Sequence, residues 1–427
     1  MSVGMFHKLA LVFTIPELRK KFIFVLALLA VFRVAASIPV PGVDAGRLKS
    51  FLDGNQFFGL FNLFSGGVLE NLSIVMLGVG PYITASIIMQ LSTLAVPRMK
   101  EMYHEEGEAG RVRFNQYSRL LTVPLGFVQS YGLLTLLIRQ QVLLPLDAWG
   151  YAFNMATITA GSLLLMWLGE LMTEKGIGNG ISLMIFAGIV ALLPRSIQQE
   201  FFTFSADRIP VYGAFIILSV AVIAAVVVIS EGQRNVPVSY AKRVRGMRLY
   251  GGVATHLPLR VNQAGVIPII FAISVVLLPG IVGTFLAGLS HPLVQRASQF
   301  LIGAFNNQGL YGSVYFLLVF LFTYFYTAVT FDPQTIADQI QKQGGFILGV
   351  RPGRPTAEFL AYIVNRITLA GGLFLGIIAI LPLAVQSALN IQALTLGGTA
   401  LLIVVSVVLE TVKQIEAQVA MREYEGV

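Results

Sequence analysis

The chain has 427 residues, of which 56% are hydrophobic and only 12% are charged. Soluble globular proteins carry about twice that share of charge, so a single soluble core cannot account for this composition. The formal net charge is +8, and there is no cysteine, which excludes disulfides and thiolate metal sites. The four histidines are isolated in the sequence and predict no metal centre. The composition indicates a polytopic membrane protein.

Ten apolar segments predict transmembrane helices, because each approaches the roughly 20 residues that cross a hydrocarbon layer of about 30 Å. Their unbroken apolar runs favour helices over a membrane β-barrel. The first segment is longer than a signal-peptide core and is followed by further spans, so it predicts a retained helix. Spans one to ten are predicted at residues 22–37, 72–94, 120–138, 152–172, 180–193, 211–230, 264–289, 311–330, 368–383 and 394–409.

The lysine and arginine residues orient these spans. With a cytoplasmic N-terminus, 22 of the 29 fall in cytoplasmic segments, six fall outside and Arg33 lies within span one. Cytoplasmic segments are enriched in basic residues, so both termini are predicted to be cytoplasmic. This bias also explains the net charge without nucleic acid. Since no transit segment is expected before span one, the predicted location is the bacterial cytoplasmic (inner) membrane.

Ten spans divide into two sets of five, and an odd number per set gives the sets opposite orientations in the membrane. This is the inverted-repeat plan of many transport proteins. The predicted halves are residues 1–208, with spans one to five, and 209–427, with spans six to ten. The inference is topological, because no internal sequence similarity is evident.

Three loops have two interpretations each. The long cytoplasmic loops 231–262 and 331–366 either orient the protein and attract anionic lipids, or form a docking surface for a cytosolic partner. The outer segment at about 57–73 is apolar, aromatic and interrupted by glycines. It either lies in the headgroup region or folds back among the helices, where protein or water must surround it.

The chain carries no nucleophile motif, phosphate loop or metal spacing, so the sequence predicts neither an enzyme nor a cofactor. The spans are almost empty of the acids and bases that coupled transporters use, although a secondary transporter of a small solute remains the alternative. Pro81 predicts a kink or a new helix start in span two, and Pro268 and Pro279 interrupt span seven. Two interrupted helices without a polar substrate site favour a gated pore sealed by apolar side chains.

Nine short segments, in the same order and over nearly the whole chain, resemble the SecY/Sec61 family of protein-conducting channels. Any one of them alone would be a weak signal. They are IPVPG at 38–42, FSGG at 64–67, PYITASII at 81–88, EGEAGR at 106–111, IGNGIS at 177–182, THLPL at 255–259, NQAGVIP at 262–268, GVRPG at 349–353 and GGT at 397–399.

The resemblance implies an all-α membrane protein whose ten spans surround an hourglass pore in two inverted halves. Secretory polypeptides would cross through the pore, and membrane segments would leave through a lateral gate between spans two and seven. It implies a pore ring of aliphatic side chains and an outer plug. The implied ring is Val79, Ile83, Ile181, Ile185, Ile267, Ile270 and Ile403; the implied plug is Phe61, Asn62, Leu63, Phe64, Ser65, Gly66, Gly67, Val68 and Leu69.

The same resemblance implies that the two cytoplasmic loops dock the motor ATPase SecA and the ribosome. The other expected partners are the small membrane subunits SecE and SecG, signal peptides and nascent chains, and anionic lipids. The implied docking residues are Arg234, Lys242, Arg243, Arg245 and Arg351.

Overall fold

The computed structural model describes residues 15–41, 68–69, 72–139, 141–202, 209–240, 243–245, 248–250, 254–287, 291–306, 308–389 and 397–424. Helices predominate in these ranges. They are α1 Pro16–Ala36, α2 Gly80–Ala95, α3 Pro97–His104, α4 Gly107–Arg139, α5 Ala148–Lys175, α6 Gly180–Phe202, α7 Ile209–Glu231, α8 Ile267–Ala287, α9 Pro292–Asn306, α10 Gln308–Thr330, α11 Pro333–Lys342, α12 Arg354–Leu389 and α13 Gly397–Tyr424. The strands are β1 Gln233–Tyr240, β2 Arg243–Arg245, β3 Arg248–Tyr250, β4 Ala254–Arg260 and β5 Gly345–Ile347.

Each predicted span overlaps one helix. Spans one to ten correspond, in order, to α1, α2, α4, α5, α6, α7, α8, α10, α12 and α13. Within the described ranges, five helices are long and apolar enough to cross a membrane by length and composition: α4, α5, α7, α10 and α12. Shorter apolar helical stretches lie in α6, at Gly180–Pro194, and in α8, at Ile267–Val276.

Span two is interrupted, as predicted from Pro81. Its first part forms turns, and α2 begins at Gly80 with Pro81 in the first helical turn. This is the new helix start that Pro81 predicts, because proline fits the first turn and disrupts a helix interior. The 16 residues of α2 rise about 24 Å, less than the hydrocarbon thickness. In the preceding turns Val75 and Met76 are fully buried, as irregular backbone at membrane depth requires.

The spans pack into one large apolar cluster that takes residues from both predicted halves. Helix α8 packs against α2 and α4, which brings predicted spans seven, two and three together. Helix α13 packs against α6, α7 and α12. Both α8 and α13 therefore connect the first half of the chain with the second.

A three-stranded sheet, which was not predicted from the sequence, joins the two long loops at 231–262 and 331–366. The strand order is β4-β1-β5, and both pairings are antiparallel. Val238 of β1 stands opposite Thr255 on one side and Ile347 on the other. A separate apolar cluster fixes the sheet on α12, with Val236, Val238, Leu259, Ile347 and Leu360 among its buried members.

Candidate functional site

The seven aliphatic residues of the implied pore ring belong to one apolar cluster. They come from α2 and the turn before it, from α6, from α8 and from α13. Ile181 and Ile267 are partly buried, whereas the other five are at most 4% exposed: Val79, Ile83, Ile185, Ile270 and Ile403. The structure thus brings together side chains that lie more than 300 positions apart in the sequence. Their arrangement as a continuous ring stays a prediction.

The turn before α2 is held by the fourth span. Ser162 of α5 donates its hydroxyl hydrogen to the carbonyl oxygen of Gly78, at 2.9 Å, and Ser162 is 1% exposed. The break in span two would otherwise leave this carbonyl without a partner away from water, which costs free energy. The bond therefore stabilises the turn that carries Val79.

The start of α6 explains much of the IGNGIS segment. The side-chain oxygen of Asn179 accepts hydrogen bonds from the backbone N–H groups of Ile181, at 3.1 Å, and Ser182, at 3.2 Å. The N–H of Gly180 donates to the hydroxyl of Thr173, at 2.9 Å. Side chains thereby satisfy three donors that the first turn of a helix leaves unpaired. Ile181 and Ile185 stand on the first turns of this well-capped helix.

Helices α2 and α8 contact each other where the lateral gate is expected, and α4 lies beside both. The amide nitrogen of Gln129 on α4 donates to the hydroxyl of Thr84 on α2, at 3.4 Å, and both residues are buried. Thr84 in turn donates to the carbonyl of Gly80, at 3.0 Å. These bonds join α2 to α4. Helix α8 packs against both members of this pair.

The plug lies mostly outside the described residues, which include only Val68 and Leu69 of the nine predicted. Both are fully buried in the main apolar cluster. The carbonyl of Val68 accepts from the hydroxyl of Ser73, at 3.3 Å, and the carbonyl of Leu69 accepts from the N–H of Leu72, at 3.0 Å. The end of the predicted plug is therefore fixed against the turn that precedes α2.

The predicted docking residues occupy two places. Arg234 is exposed on β1 of the three-stranded sheet. Arg351 is exposed shortly after β5 of the same sheet, where its carbonyl accepts from the hydroxyl of Thr356 at 2.9 Å. Arg243 and Arg245 lie on β2, in a separate two-stranded hairpin. Lys242 lies outside the described residues.

Two apolar side chains beside Arg351 were missed by the sequence analysis. Leu348 is 72% exposed, and Phe346 on β5 is 36% exposed. Both side chains are therefore exposed in the same segment as Arg351. The apolar run at 346–350, within an otherwise polar loop, is the sequence pattern from which these two residues could have been predicted.

Comparison with known proteins identifies the family. The family model for SecY matches residues 73–412. The protein translocase subunit SecY of Streptomyces galbus is 42% identical over 431 residues, which cover 97% of this chain and 98% of the relative.

The chain belongs to the SecY family.

Two solved structures share this fold. A protein-conducting channel superposes with a TM-score of 0.67 at 20% identity, covering 93% of this chain and 91% of its own. Sec61 in the canine ribosome–channel complex from the endoplasmic reticulum has a TM-score of 0.62 at 19% identity, with the same coverage. The predicted fold class is confirmed: this is an all-α, multi-pass membrane protein with the fold of these channels, and ten of its described helices overlap the ten predicted spans. The alternative, a secondary transporter, finds no support.

Proposed function

We propose that this chain is the pore subunit of a protein-translocation channel. It passes unfolded secretory polypeptides across the membrane and releases transmembrane segments into lipid between α2 and α8. The observation that carries the proposal is the convergence of seven aliphatic side chains from four separated helices in one cluster of a SecY-family chain. A channel for arbitrary sequences cannot rely on specific contacts, and a compliant apolar constriction excludes hydrated ions by dewetting.

The halves of the channel are residues 1–208 and 209–427, and the seam between α2 and α8 is the lateral gate. Helix α2 begins at the break beside Val79, and α8 contains Pro279. Both features limit the backbone hydrogen bonding of these two helices, which eases a change in their direction. Residues 57–73 form the plug on the outer side.

The cytoplasmic sheet and the segment around Arg351 form the docking surface for SecA and the ribosome. The exposed arginines suit acidic or phosphate groups, while Leu348 and Phe346 offer apolar contact area. SecE and SecG complete the membrane complex. Both termini are cytoplasmic, and the membrane is the bacterial inner membrane.

The ionic current through the reconstituted full-length protein in planar bilayers tests the proposal. Four single serine substitutions, at Ile83, Ile185, Ile270 and Ile403, place a hydroxyl in the constriction; a deletion of residues 62–70 removes most of the plug. Because a polar lining favours water in a narrow pore, we expect these variants to leak ions while the wild type stays silent. The controls are serine substitutions at Ile217 and Ile377, which are 72% and 54% exposed.

A comparison of serine variants inside and outside the constriction distinguishes loss of the seal from a general loss of protein stability. The two control variants remove a similar apolar group outside the constriction, so they should remain silent. If the four buried-site variants and the plug deletion are as silent as the wild type, the aliphatic seal is wrong.

A further inference from the structure

Helix α13 extends well beyond the apolar part of span ten, from residue 409 to Tyr424. This cytoplasmic extension contacts the first half of the chain through apolar side chains. Ile415 and Val419 are buried together with Leu18 of α1 and Ile177, which precedes α6. The extension therefore holds elements from the far end of the sequence.

Polar contacts connect the same extension to both halves. The side-chain oxygen of Gln414 accepts from the N–H of Gly178, at 2.7 Å, and that of Gln418 accepts from the ammonium of Lys21, at 3.4 Å. Lys413 forms an ion pair with Glu231 at the end of α7, at 2.8 Å. The first two contacts reach the first half of the chain, and the third reaches the second half.

The contact of Gln414 differs from the others because it fixes the turn from which α6 begins. Gly178 has a φ of 91°, a conformation that side chains disfavour. A Cβ there would also lie 3.4 Å from the hydroxyl of Thr411 on α13. The next residue, Asn179, caps α6 and holds the N–H of Ile181. Gly178, which donates to Gln414, therefore lies only three positions before the ring residue Ile181.

Gln414 and the ring residue Ile403 share one face of α13. Eleven positions separate them, which is close to three full turns of an α-helix. Val407 lies between them on that face and is 2% exposed. Along this face, α13 meets α6 both at the apolar cluster and at the turn before α6. Because a helix moves largely as a rigid body, the hydrogen bond between Gln414 and the turn before α6 also restrains how α13 and α6 pack in the apolar cluster.

We infer that Gln414 is a positioning residue for the pore seal. Its side-chain oxygen holds the turn before α6 against α13. This bond sets the position of Ile181 and Ile185 relative to Ile403 along the two helices. The inference rests on the proposed function, because it takes these isoleucines as parts of the seal. Gln414 itself does not line the constriction.

Bilayer current and thermal unfolding of the full-length protein test this role. Gln414→Leu removes the oxygen that accepts from the N–H of Gly178 and keeps a similar side-chain volume. Gln414→Asn shortens the side chain by one methylene group, which moves its oxygen away from that N–H. Gln414→Glu keeps an acceptor oxygen. A net hydrogen bond corresponds to a factor of about three to ten in an equilibrium. We expect leak events to rise by about that factor in Gln414→Leu, less in Gln414→Asn, and little in Gln414→Glu.

The matched control is Gln418→Leu, which breaks the contact with Lys21 one turn further along but leaves the turn before α6 untouched. It should stay silent even where its melting temperature falls as far as that of Gln414→Leu. The inference would be overturned if Gln414→Leu and Gln418→Leu leaked equally. It would also be overturned if neither Gln414→Leu nor Gln414→Asn leaked. If Gln414→Leu does not fold, Gln414→Asn decides the matter.

Failure of the seal and failure of the positioning role give different patterns. When serine at Ile83 or Ile403 leaks but the Gln414 variants do not, the seal stands and Gln414 does not position it. When serine at those isoleucines does not leak either, the proposed seal itself fails.

Discussion

Gly180 at the start of α6 lies directly against the carbonyl oxygen of Gly169 on α5, so that a Cβ at residue 180 would overlap this oxygen. The two backbones cross at the point where α6 brings Ile181 to the apolar cluster. Small residues permit such close approach between membrane helices. The absence of a side chain at Gly180 therefore allows α6 to begin in direct contact with the backbone of α5.

Gly180→Ala should destabilise the protein, because the obstacle is a backbone oxygen that cannot rotate away. Overpacking of this kind costs about 1–3 kcal/mol. A lower melting temperature, together with increased ion leak, would show that α6 has been displaced. Gly213→Ala in α7 is the control, since nothing lies within 4 Å of a Cβ there. A melting temperature equal to that of the control would contradict the prediction.

Ser162→Ala should destabilise the turn before α2. The substitution leaves the buried carbonyl of Gly78 without its 2.9 Å partner, which costs about 1–3 kcal/mol. Thermal unfolding of the purified protein measures the effect. Ser313→Ala is the matched control, because that exposed hydroxyl bonds only the carbonyl of Gly309 within its own helix. Equal, small changes in both variants would show that the turn needs no support from α5.

The proposed docking function predicts that Arg351→Ala weakens binding of SecA without a change in stability. The side chain is exposed, and the backbone carbonyl of this residue, which accepts from the hydroxyl of Thr356, is kept in the variant. Arginines at the centre of an interface often contribute more than 1 kcal/mol, so the dissociation constant should rise about fivefold or more. Arg354→Ala removes a nearby arginine that is 86% exposed and paired with Glu358. A similar loss of affinity in both variants would indicate general electrostatic attraction only.

Leu348→Ser should weaken the same binding through lost apolar contact. The side chain is 72% exposed, so its replacement in the free protein should leave the melting temperature unchanged. Leu259→Ala on β4 is the contrasting variant: it removes a fully buried side chain and should lower stability by about 2–5 kcal/mol. Isothermal titration and thermal unfolding together distinguish these effects. A fall in stability for Leu348→Ser would place that side chain in the folded core.

Hydropathy predicted the membrane part of this fold well, because lipid requires long apolar stretches whatever the neighbouring helices do. The same signal could not show where helices continue into water. Span nine was predicted at 368–383, whereas α12 begins at Arg354. It also gave no sign of α9, α3 or α11, which are short or only partly apolar.

The three-stranded sheet was not predicted from the sequence for a different reason. Val236 and Val238 alternate with exposed residues, as in a half-buried strand, but this pattern is short and interrupted by Pro237. Its partner β5 lies more than a hundred positions away, and no local pattern reveals such a pairing. Among the functional residues, family motifs supplied Arg351 and the isoleucines; the role of Gln414 required the fold, because its partner Gly178 is 236 positions distant.

The sheet also has a mechanical consequence. A pull or push on the tip at Arg351 enters β5, crosses β1 and reaches β4, which pairs with β1 along seven consecutive positions. Only a short connection then separates Arg260 from Ile267 at the start of α8. A force applied at Arg351 would therefore pass through hydrogen-bonded strands to α8, the helix that packs against α2.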